Sequence, residues 1–309
     1  MRILFIAPSR LGDAVIASGA MEHVRCLYPD ARVTVACGAA TAGAFARLPG
    51  LERLIVFEKR RLDAHWADLW LRCAPHLWEV VVDFRGSAVS FALLAKRRLI
   101  VRGGRRPGRR YRQIGASLGL DPAPLPVAWI APEDHAKAES LLPPGPPILA
   151  LGPTANWIGK VWPAENFAEA VRRLASGKLA GARIAIFGGP GEQERAQAAA
   201  LFEALPDALD LVGRLSVAES AACIARASLF IGNDSGLMHL SAAAAAPTLG
   251  LFGRSRASEY APAGRRTAIA VAPGPEGEAP MAGLTVDAVV AEAEALLETA
   301  SPQQEEAPA

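Results

Sequence analysis

Residues 229–252, LFIGNDSGLMHLSAAAAAPTLGLF, decide the fold. Positions 229–231 are apolar and strand-like, 232–236 are turn-formers, 237–246 are strong helix formers, and Pro247 stops the helix before 248–252 resumes as a buried strand. At such a strand-to-helix turn the first helical N–H groups have no partner within the helix, and the helix dipole adds partial positive charge. The turn therefore suits a phosphate. Gly236 removes a side chain so that an anion can approach the backbone, Ser235 offers a hydroxyl, and Asp234 and His239 flank the loop with polar groups. The structural alternative is that Asp234 or Ser235 caps a core helix with His239 buried beside it.

The same rhythm runs outward through the chain. Residues 2–7 (RILFIA) read as a fully apolar strand, 8–13 as a loop and 14–27 as a helix, and 32–36, 51–57, 79–84 and 99–101 give further short apolar strands. Continuous rather than alternating apolarity marks strands covered on both faces, as in a parallel sheet. Residues 122–126 are broken up by proline, 132–142 read as a short helix, and the PPGPP run at 143–147 marks a domain boundary. Beyond it, strands at 148–152, 182–187, 209–212 and 268–272 alternate with helices from about 164, 192 and 216, and 286–299 closes the domain as a helix. Ser216 and Glu219 make a capping-box pattern. The fold class is α/β: two Rossmann-like, doubly wound domains at 1–143 and 148–300, then a polar tail at 301–309 expected to be disordered. Ligands of open α/β sheets bind at the carboxyl ends of the strands, so the loops 9–13, 152–160, 188–194 and 233–239 are expected to line a cleft.

Composition narrows the function. A chain of 309 residues exceeds one ordinary core. Its net charge is only +2, yet residues 96–112, KRRLIVRGGRRPGRRYR, hold nine basic residues and no acid, leaving 24 basic against 31 acidic elsewhere. With a single aromatic, Tyr111, and no nucleic-acid motif, this run does not point to nucleic acid. It reads as a solvated loop or as an attraction to an acidic substrate or an anionic membrane surface. Four cysteines are scattered without a CxxC or a histidine at metal spacing, which predicts a reduced, cytoplasmic protein with no structural metal. The N-terminal apolar run is interrupted by Arg10 and Asp13 before any cleavage-like site, so no signal peptide is expected. The longest apolar stretch, 237–252, contains His239 and Pro247 and is too short to span a bilayer.

Individual positions then carry the chemistry. After the first strand a nicotinamide-binding protein would have GxGxxG, whereas SRLGD has only Gly12. Asp13 there is either a helix cap or a functional carboxylate. The GGPG turn at 188–191 lacks the third glycine of that fingerprint, and Glu192 and Glu194 behind it either offset the helix dipole or hold the vicinal hydroxyls of a ribose. Lys160, one of five lysines against 28 arginines, falls within GPTANWIGKVWP and either neutralises a phosphate or is a solvated loop charge. Trp157 and Trp162 are assigned to packing.

An N-terminal RILFI followed by GD, a central GxxxNWxGKxWP, and NDSGLMHLSAA with PTLGLFG together resemble glycosyltransferase family nine, the heptosyltransferases that extend the lipopolysaccharide inner core. The similarity covers nearly the whole chain in the right order, and NDSGLMH is its most specific part. It implies a GT-B architecture with the two domains facing across a cleft. It also implies an inverting, metal-independent transfer without a cofactor, and a nucleotide-diphosphate sugar donor, ADP-heptose, in the C-terminal domain. The acceptor would be an anionic lipid-linked saccharide on the N-terminal domain, met by a cytoplasmic protein in peripheral contact with the inner face of the cytoplasmic membrane. Position by position, Asp13 matches the catalytic base, with Arg10 and Gly12 beside it on the acceptor side. Thr154 matches a phosphate-side hydroxyl and Lys160 the diphosphate lysine, while the ribose acid aligns with either Glu192 or Glu194, of which Glu192 is preferred. Asp234, Ser235, Gly236, Leu237, Met238 and His239 match the donor sugar and phosphate loop. Arg105, Arg106, Arg109 and Arg110 of the basic run are expected to meet the acceptor. The chain departs from the family at 253–260, GRSRASEY in place of a GPT-like turn, and at Arg10, where relatives often place a small residue; both departures bear on the sugar used. Two other classes remain in view: a GT-B-like nucleotide-sugar epimerase, which would leave the basic run without a task, and a non-catalytic nucleotide-binding module, in which Asp13 would be dispensable.

Overall fold

Short, mostly apolar runs form two separate parallel sheets in the computed structural model, which describes residues 1–58, 61–101 and 107–299. The tail at 301–309 lies outside the described residues. The chain divides into two compact units, one of Met1–Ala136 with Ser216–Ala221, the other of Lys137–Leu215 with Ala222–Ala309. Both are doubly wound α/β units, the architecture of the GT-B class.

In the first unit β1 (Arg2–Ile6), β2 (Arg32–Cys37), β3 (Leu51–Val56), β4 (Trp78–Asp83) and β5 (Ala95–Ile100) lie in the order β3-β2-β1-β4-β5, every neighbour parallel. The order reverses between β1 and β4, which makes the carboxyl ends of those two strands the natural crevice. The helix Leu11–Leu27 begins there, three residues earlier than its apolar periodicity predicts. Arg10 is its N-cap and no side chain caps it, so Asp13 is a first-turn carboxylate and not a cap.

The basic run is not one loop. It opens as the edge strand β5, where Lys96 pairs with Glu79 at 2.8 Å and the Arg98 guanidinium donates to the carbonyls of Ser90, at 2.9 Å, and Leu93. An edge strand tolerates such charges because one side of its ladder and much of its surface face water. The run closes in the helix Arg110–Leu118.

In the second unit β6 (Ile148–Gly152), β7 (Arg183–Gly188), β8 (Leu209–Val212), β9 (Leu229–Asn233), β10 (Thr248–Phe252) and β11 (Thr267–Val271) follow the order β11-β10-β9-β6-β7-β8, again all parallel. Every residue of β6, β9 and β10 is buried, as their unbroken apolar sequence requires. Leu149, Leu151, Ile231 and Leu249 pack with Phe167 and Leu174 of the helix Ala164–Ser176 and with Val289 and Leu296 of the helix Val286–Glu298. Each such side chain contributes roughly 1.5–3 kcal/mol through burial. Trp162 belongs to this core, its indole N–H bonded to the Leu284 carbonyl at 2.9 Å and its ring edge-on to Phe167. Trp157, by contrast, is exposed and lies over Gly159, where a Cβ would stand 2.5 Å from the indole. The capping box forms as its sequence predicts: Glu219 accepts from the Ser216 N–H at 2.7 Å, and the Ser216 hydroxyl accepts from the Glu219 N–H at 3.2 Å.

Candidate functional site

The second sheet reverses its order between β6 and β9, and the loops leaving those two strands carry Lys160 and Asp234. Asn233, the last residue of β9, is fully buried. Its amide donates to the Pro153 carbonyl at 2.7 Å and its Oδ1 accepts from the Trp162 N–H at 3.1 Å. Both ends of the loop after β6 are thereby tied to β9, and Lys160, closing the short turn Ile158–Lys160, is held over the next helix start. Lys160 Nζ lies 2.6 Å from Asp234 Oδ2, and His239 Nε2 lies 3.8 Å from Asp234 Oδ1. The Asp234 and His239 side chains are 6% and 5% exposed, the Lys160 side chain 24%.

Ser235 stands at the N-cap of the helix Gly236–Ala243, yet its side chain makes no capping bond, and its Oγ is buried without a partner among the described residues. An unmatched buried hydroxyl costs about 1–3 kcal/mol, a cost that a ligand bonding to it would remove. Neither Asp234 nor Ser235 therefore acts as the simple helix cap that the sequence allows. Met238 is fully buried with its sulfur against Gly250, so it can offer a ligand only its backbone; Leu237 is half-buried. Thr154 is buried, and the next residue, Ala155, donates its N–H to Gln197 Oε1 at 2.9 Å. Of the two glutamates after the GGPG turn, Glu194 accepts the Gly189 N–H at 3.1 Å and so braces its own loop. Glu192 is exposed at the first position of the helix Glu192–Ala204.

In the first unit, a hollow of about 230 Å³ opens at the β1/β4 reversal, lined by Ser9, Asp13, Phe84, Arg85, Arg110 and Ile114 among others. Asp13 is half-buried, Gly12 precedes it in the same helix turn, and Arg10 is exposed. Arg110 is the first residue of its helix and donates to Gln113 Oε1 at 3.0 Å, with Arg109 at the N-cap. Arg105 and Arg106 lie outside the described residues. Sequence reasoning missed Arg85. Its loop is set by Asp83, the fully buried last residue of β4, which accepts the Arg85 N–H at 2.8 Å and both the N–H and the hydroxyl of Ser87 at 2.7 Å. Gly86 follows in the left-handed region at φ 63°, where glycine carries no steric penalty. Arg85 reaches solvent, but its guanidinium sits 4.7 Å over the Trp66 ring and 5.7 Å from that of Phe57. Burial pushes its pKa down, opposed by the charges of Asp83 and Asp63. The signal for this residue was a turn-forming FRGS directly after an apolar strand at the reversal of strand order.

A family model, Glycosyltransferase family 9 (heptosyltransferase), matches residues 85–281. The chain belongs to glycosyltransferase family 9. This family 9 glycosyltransferase is 24% identical over 296 residues to lipopolysaccharide heptosyltransferase 2 of Salmonella typhimurium, covering 82% of this chain and 83% of that one. Its fold matches the structure of E. coli ADP-heptose LPS heptosyltransferase II with a TM-score of 0.74 at 20% identity, over 96% of this chain and 98% of that one. It also matches E. coli heptosyltransferase WaaC with ADP, at a TM-score of 0.73 and 19% identity, over 96% and 100% of the two chains. Among the described residues no helix of this family 9 protein is long and apolar enough to cross a membrane.

Proposed function

We propose that this family 9 glycosyltransferase moves a heptose, or a closely similar sugar, from ADP-heptose to an anionic, lipid-linked lipopolysaccharide inner-core acceptor, with inversion at the anomeric carbon. The observation that carries the reading is the Lys160–Asp234–His239 cluster with the unmatched Ser235 hydroxyl at a helix start. A diphosphate there would draw Lys160 from Asp234, bond to Ser235 Oγ and the first amides of the helix at Gly236, Leu237 and Met238, and meet Thr154 on its other side. These groups oppose the negative charge that grows on the departing diphosphate, the work a divalent metal does elsewhere, so the transfer needs no metal. Glu192 holds the ribose hydroxyls, and Asp234 and His239 hold the sugar. ADP as the nucleotide is supported by the E. coli relatives, one named for ADP-heptose and one holding ADP.

In the transfer, an acceptor hydroxyl attacks the anomeric carbon on the face opposite the diphosphate. A C–O bond forms to the acceptor, the C–O bond to phosphate breaks, ADP leaves, and Asp13 takes the hydroxyl proton. Residues 1–143 are assigned to the acceptor and 148–300 to the donor, with Arg10, Gly12 and the arginines at 105, 106, 109 and 110 on the acceptor side. The acceptor is met at the inner face of the cytoplasmic membrane in this reading, and the basic run suits peripheral contact there. A thermal-shift panel of ADP, UDP, GDP, dTDP and NAD without metal tests the donor. Stabilisation by ADP is expected; a shift with NAD alone would end the glycosyltransferase reading of this site, and a shift with UDP alone would remove ADP-heptose.

A further inference from the structure

We propose that Trp70, Leu71, Leu77, Phe91 and Leu94 form a face of the first unit that docks on an anionic lipid bilayer, their side chains entering the headgroup boundary while neighbouring arginines meet lipid phosphates. The use of this face to bring a lipid-linked acceptor within reach rests on the proposed function; the docking itself does not.

Leu71, Leu77, Phe91 and Leu94 each leave 60% or more of their surface to water, and Trp70 leaves 39%. The fold gathers them. Trp70 and Leu71 are neighbours on the helix Ala64–Cys73, and the Trp70 indole N–H donates at 3.0 Å to the carbonyl of Ala92, next to Phe91. Leu77 and Leu94 precede the paired starts of β4 and β5, where Trp78 is in register with Ala95 and donates its N–H to the Leu94 carbonyl at 2.9 Å. Val89 and Leu93 of the same segment turn inward and pack with Leu69 and Cys73, so Phe91 and Leu94 stand out from an anchored piece of chain. Apolar ground shared by several large side chains marks a surface that meets a partner.

Two observations name the partner, and the first is the backbone of that segment. Arg98 donates to the carbonyls of Ser90 at 2.9 Å, of Ala95 at 3.3 Å and of Leu93, while Trp70 holds that of Ala92 and Trp78 that of Leu94. A segment that enters lipid must bring its carbonyls already satisfied, because water does not follow it there; a loop that meets only water has no such need. The same bond matches the Trp70 N–H, leaving its ring free to sit at the interface. The second observation is charge. Asp68 on the helix is paired with Arg72 at 3.1 Å, and Glu79 on β4 with Lys96 at 2.8 Å. Arg97 and Arg98 on β5 form no salt bridge among the described residues, nor does Arg53, whose guanidinium lies 3.2 Å from the His76 ring beside Leu77. A second copy of the chain would set these cations against their equals, whereas an anionic bilayer answers them, with arginine stems on the apolar ground and charged ends at the phosphates. Reach fits as well. Trp66, which carries the Arg85 guanidinium at the β1/β4 hollow, is four residues from Trp70, about 6 Å along the helix, so docking sets that hollow close to the bilayer.

The test is flotation of the full-length protein with vesicles of phosphatidylethanolamine and phosphatidylglycerol, beside vesicles of phosphatidylcholine alone. The protein should float with the first and not with the second. The double variant Phe91→Ser with Leu94→Ser should bind the anionic vesicles about 10- to 100-fold more weakly, since two large side chains no longer leave water. Arg97→Gln should cost about 5-fold and flatten the dependence on salt. Tryptophan emission should shift to the blue on the anionic vesicles and be quenched by brominated lipid, and both changes should shrink in Trp70→Phe. All these positions are exposed, so Tm and ADP affinity should hold in every variant. Failure of the wild-type protein to float, or equal binding by the double variant, would overturn the docking face. Binding that survives the double variant and is lost when Arg105, Arg106, Arg109 and Arg110 are neutralised would give the membrane to the basic run alone. A wild-type dimer that the double variant splits in sedimentation equilibrium would make the face an interface between copies and overturn its membrane role. In transfer assays the double variant should match the wild type on a water-soluble saccharide acceptor and fall behind on the same acceptor anchored in anionic vesicles. If vesicle binding depends on Phe91 and Leu94 but no sugar is ever transferred, the transferase reading fails and the docking face stands. If transfer to the anchored acceptor proceeds equally in both proteins, the docking face alone fails.

Discussion

The two switch points of the molecule are built alike and charged differently. At β6/β9 the lysine, aspartate and histidine are already gathered into one cluster, with Lys160 2.6 Å from Asp234. At β1/β4 Asp13, Arg85 and Arg110 line one hollow and, among the described residues, form no salt bridge with one another. A ligand at the first site must compete with an existing ion pair, so its affinity is a difference between two attractions. A ligand at the second meets Arg85 on a backbone set by a buried carboxylate and a glycine turn, its guanidinium over an aromatic shelf. On the proposed assignment the paired charges would meet the donor diphosphate and the other site the acceptor.

The contrast breaks most visibly at Asp13. General-base catalysis contributes typically about 10²–10⁴-fold, so Asp13→Asn should lose turnover on that order while fold, Tm and ADP affinity persist. The variant keeps the shape, and because no side chain caps this helix, no cap is lost. Steady-state kinetics beside calorimetric ADP titration decide the matter: near-normal turnover in the folded variant would remove Asp13 from the chemistry.

Next in size is Lys160. Lys160→Ala should weaken ADP binding and slow transfer roughly 10- to 150-fold, since one charge-assisted contact is worth about 1.5–3 kcal/mol. It also leaves Asp234, nearly buried, without its partner, so Tm should fall as well. Adding Asp234→Asn should restore Tm and leave the ADP defect in place. Asp234→Asn alone sharpens the comparison further: with its competitor gone, Lys160 should bind ADP at least as tightly, while sugar transfer falls. Should Lys160→Ala bind ADP normally, the pair is structural and the competition described above does not exist.

How much of this was legible beforehand depended on whether a residue's task was local. β6, β9 and β10 could be read from unbroken apolar runs because burial on both faces leaves no other composition. The NDSGLMH turn could be read because a helix start needs particular residues within a few positions. The β5 edge could be read only in its last residues, at 99–101: Lys96, Arg97 and Arg98 look like solvent-facing loop, and only the strand order gives them an edge where charge is tolerated. Arg85 was hidden for a related reason. Its surroundings come from Asp83 behind it, Trp66 below it and a hollow that Asp13 and Arg110 also line, and the last three lie far from it in sequence.

A smaller effect is expected from the arginines of the basic run. Neutralising Arg105, Arg106, Arg109 and Arg110 together should raise the acceptor KM and flatten its dependence on ionic strength, leaving ADP affinity alone, because a run of like charges attracts an anion at long range and is screened within about 8–10 Å. Loss of ADP affinity instead would reverse the assignment of donor and acceptor to the two units.

The smallest effect concerns the two glutamates after the GGPG turn, which test whether a residue already engaged can also serve a ligand. Glu194 accepts the Gly189 N–H, so its carboxylate is committed to shaping the loop, whereas Glu192 is exposed at the helix start. A ribose bonded to Glu192 would lose one ordinary to charge-assisted hydrogen bond in Glu192→Gln, which still accepts but without charge. Donor KM should rise about 2- to 10-fold, with kcat and Tm unchanged. Glu194→Gln should lower Tm and affect the donor only through the loop. Calorimetry with ADP against inorganic pyrophosphate, which has no ribose, separates the two: Glu192→Gln should weaken ADP and leave pyrophosphate alone, while Glu194→Gln should not distinguish them. The reverse pattern would move the ribose contact to Glu194 and show that the Gly189 bond is exchanged when the donor arrives, as is proposed for Lys160 with Asp234 and phosphate.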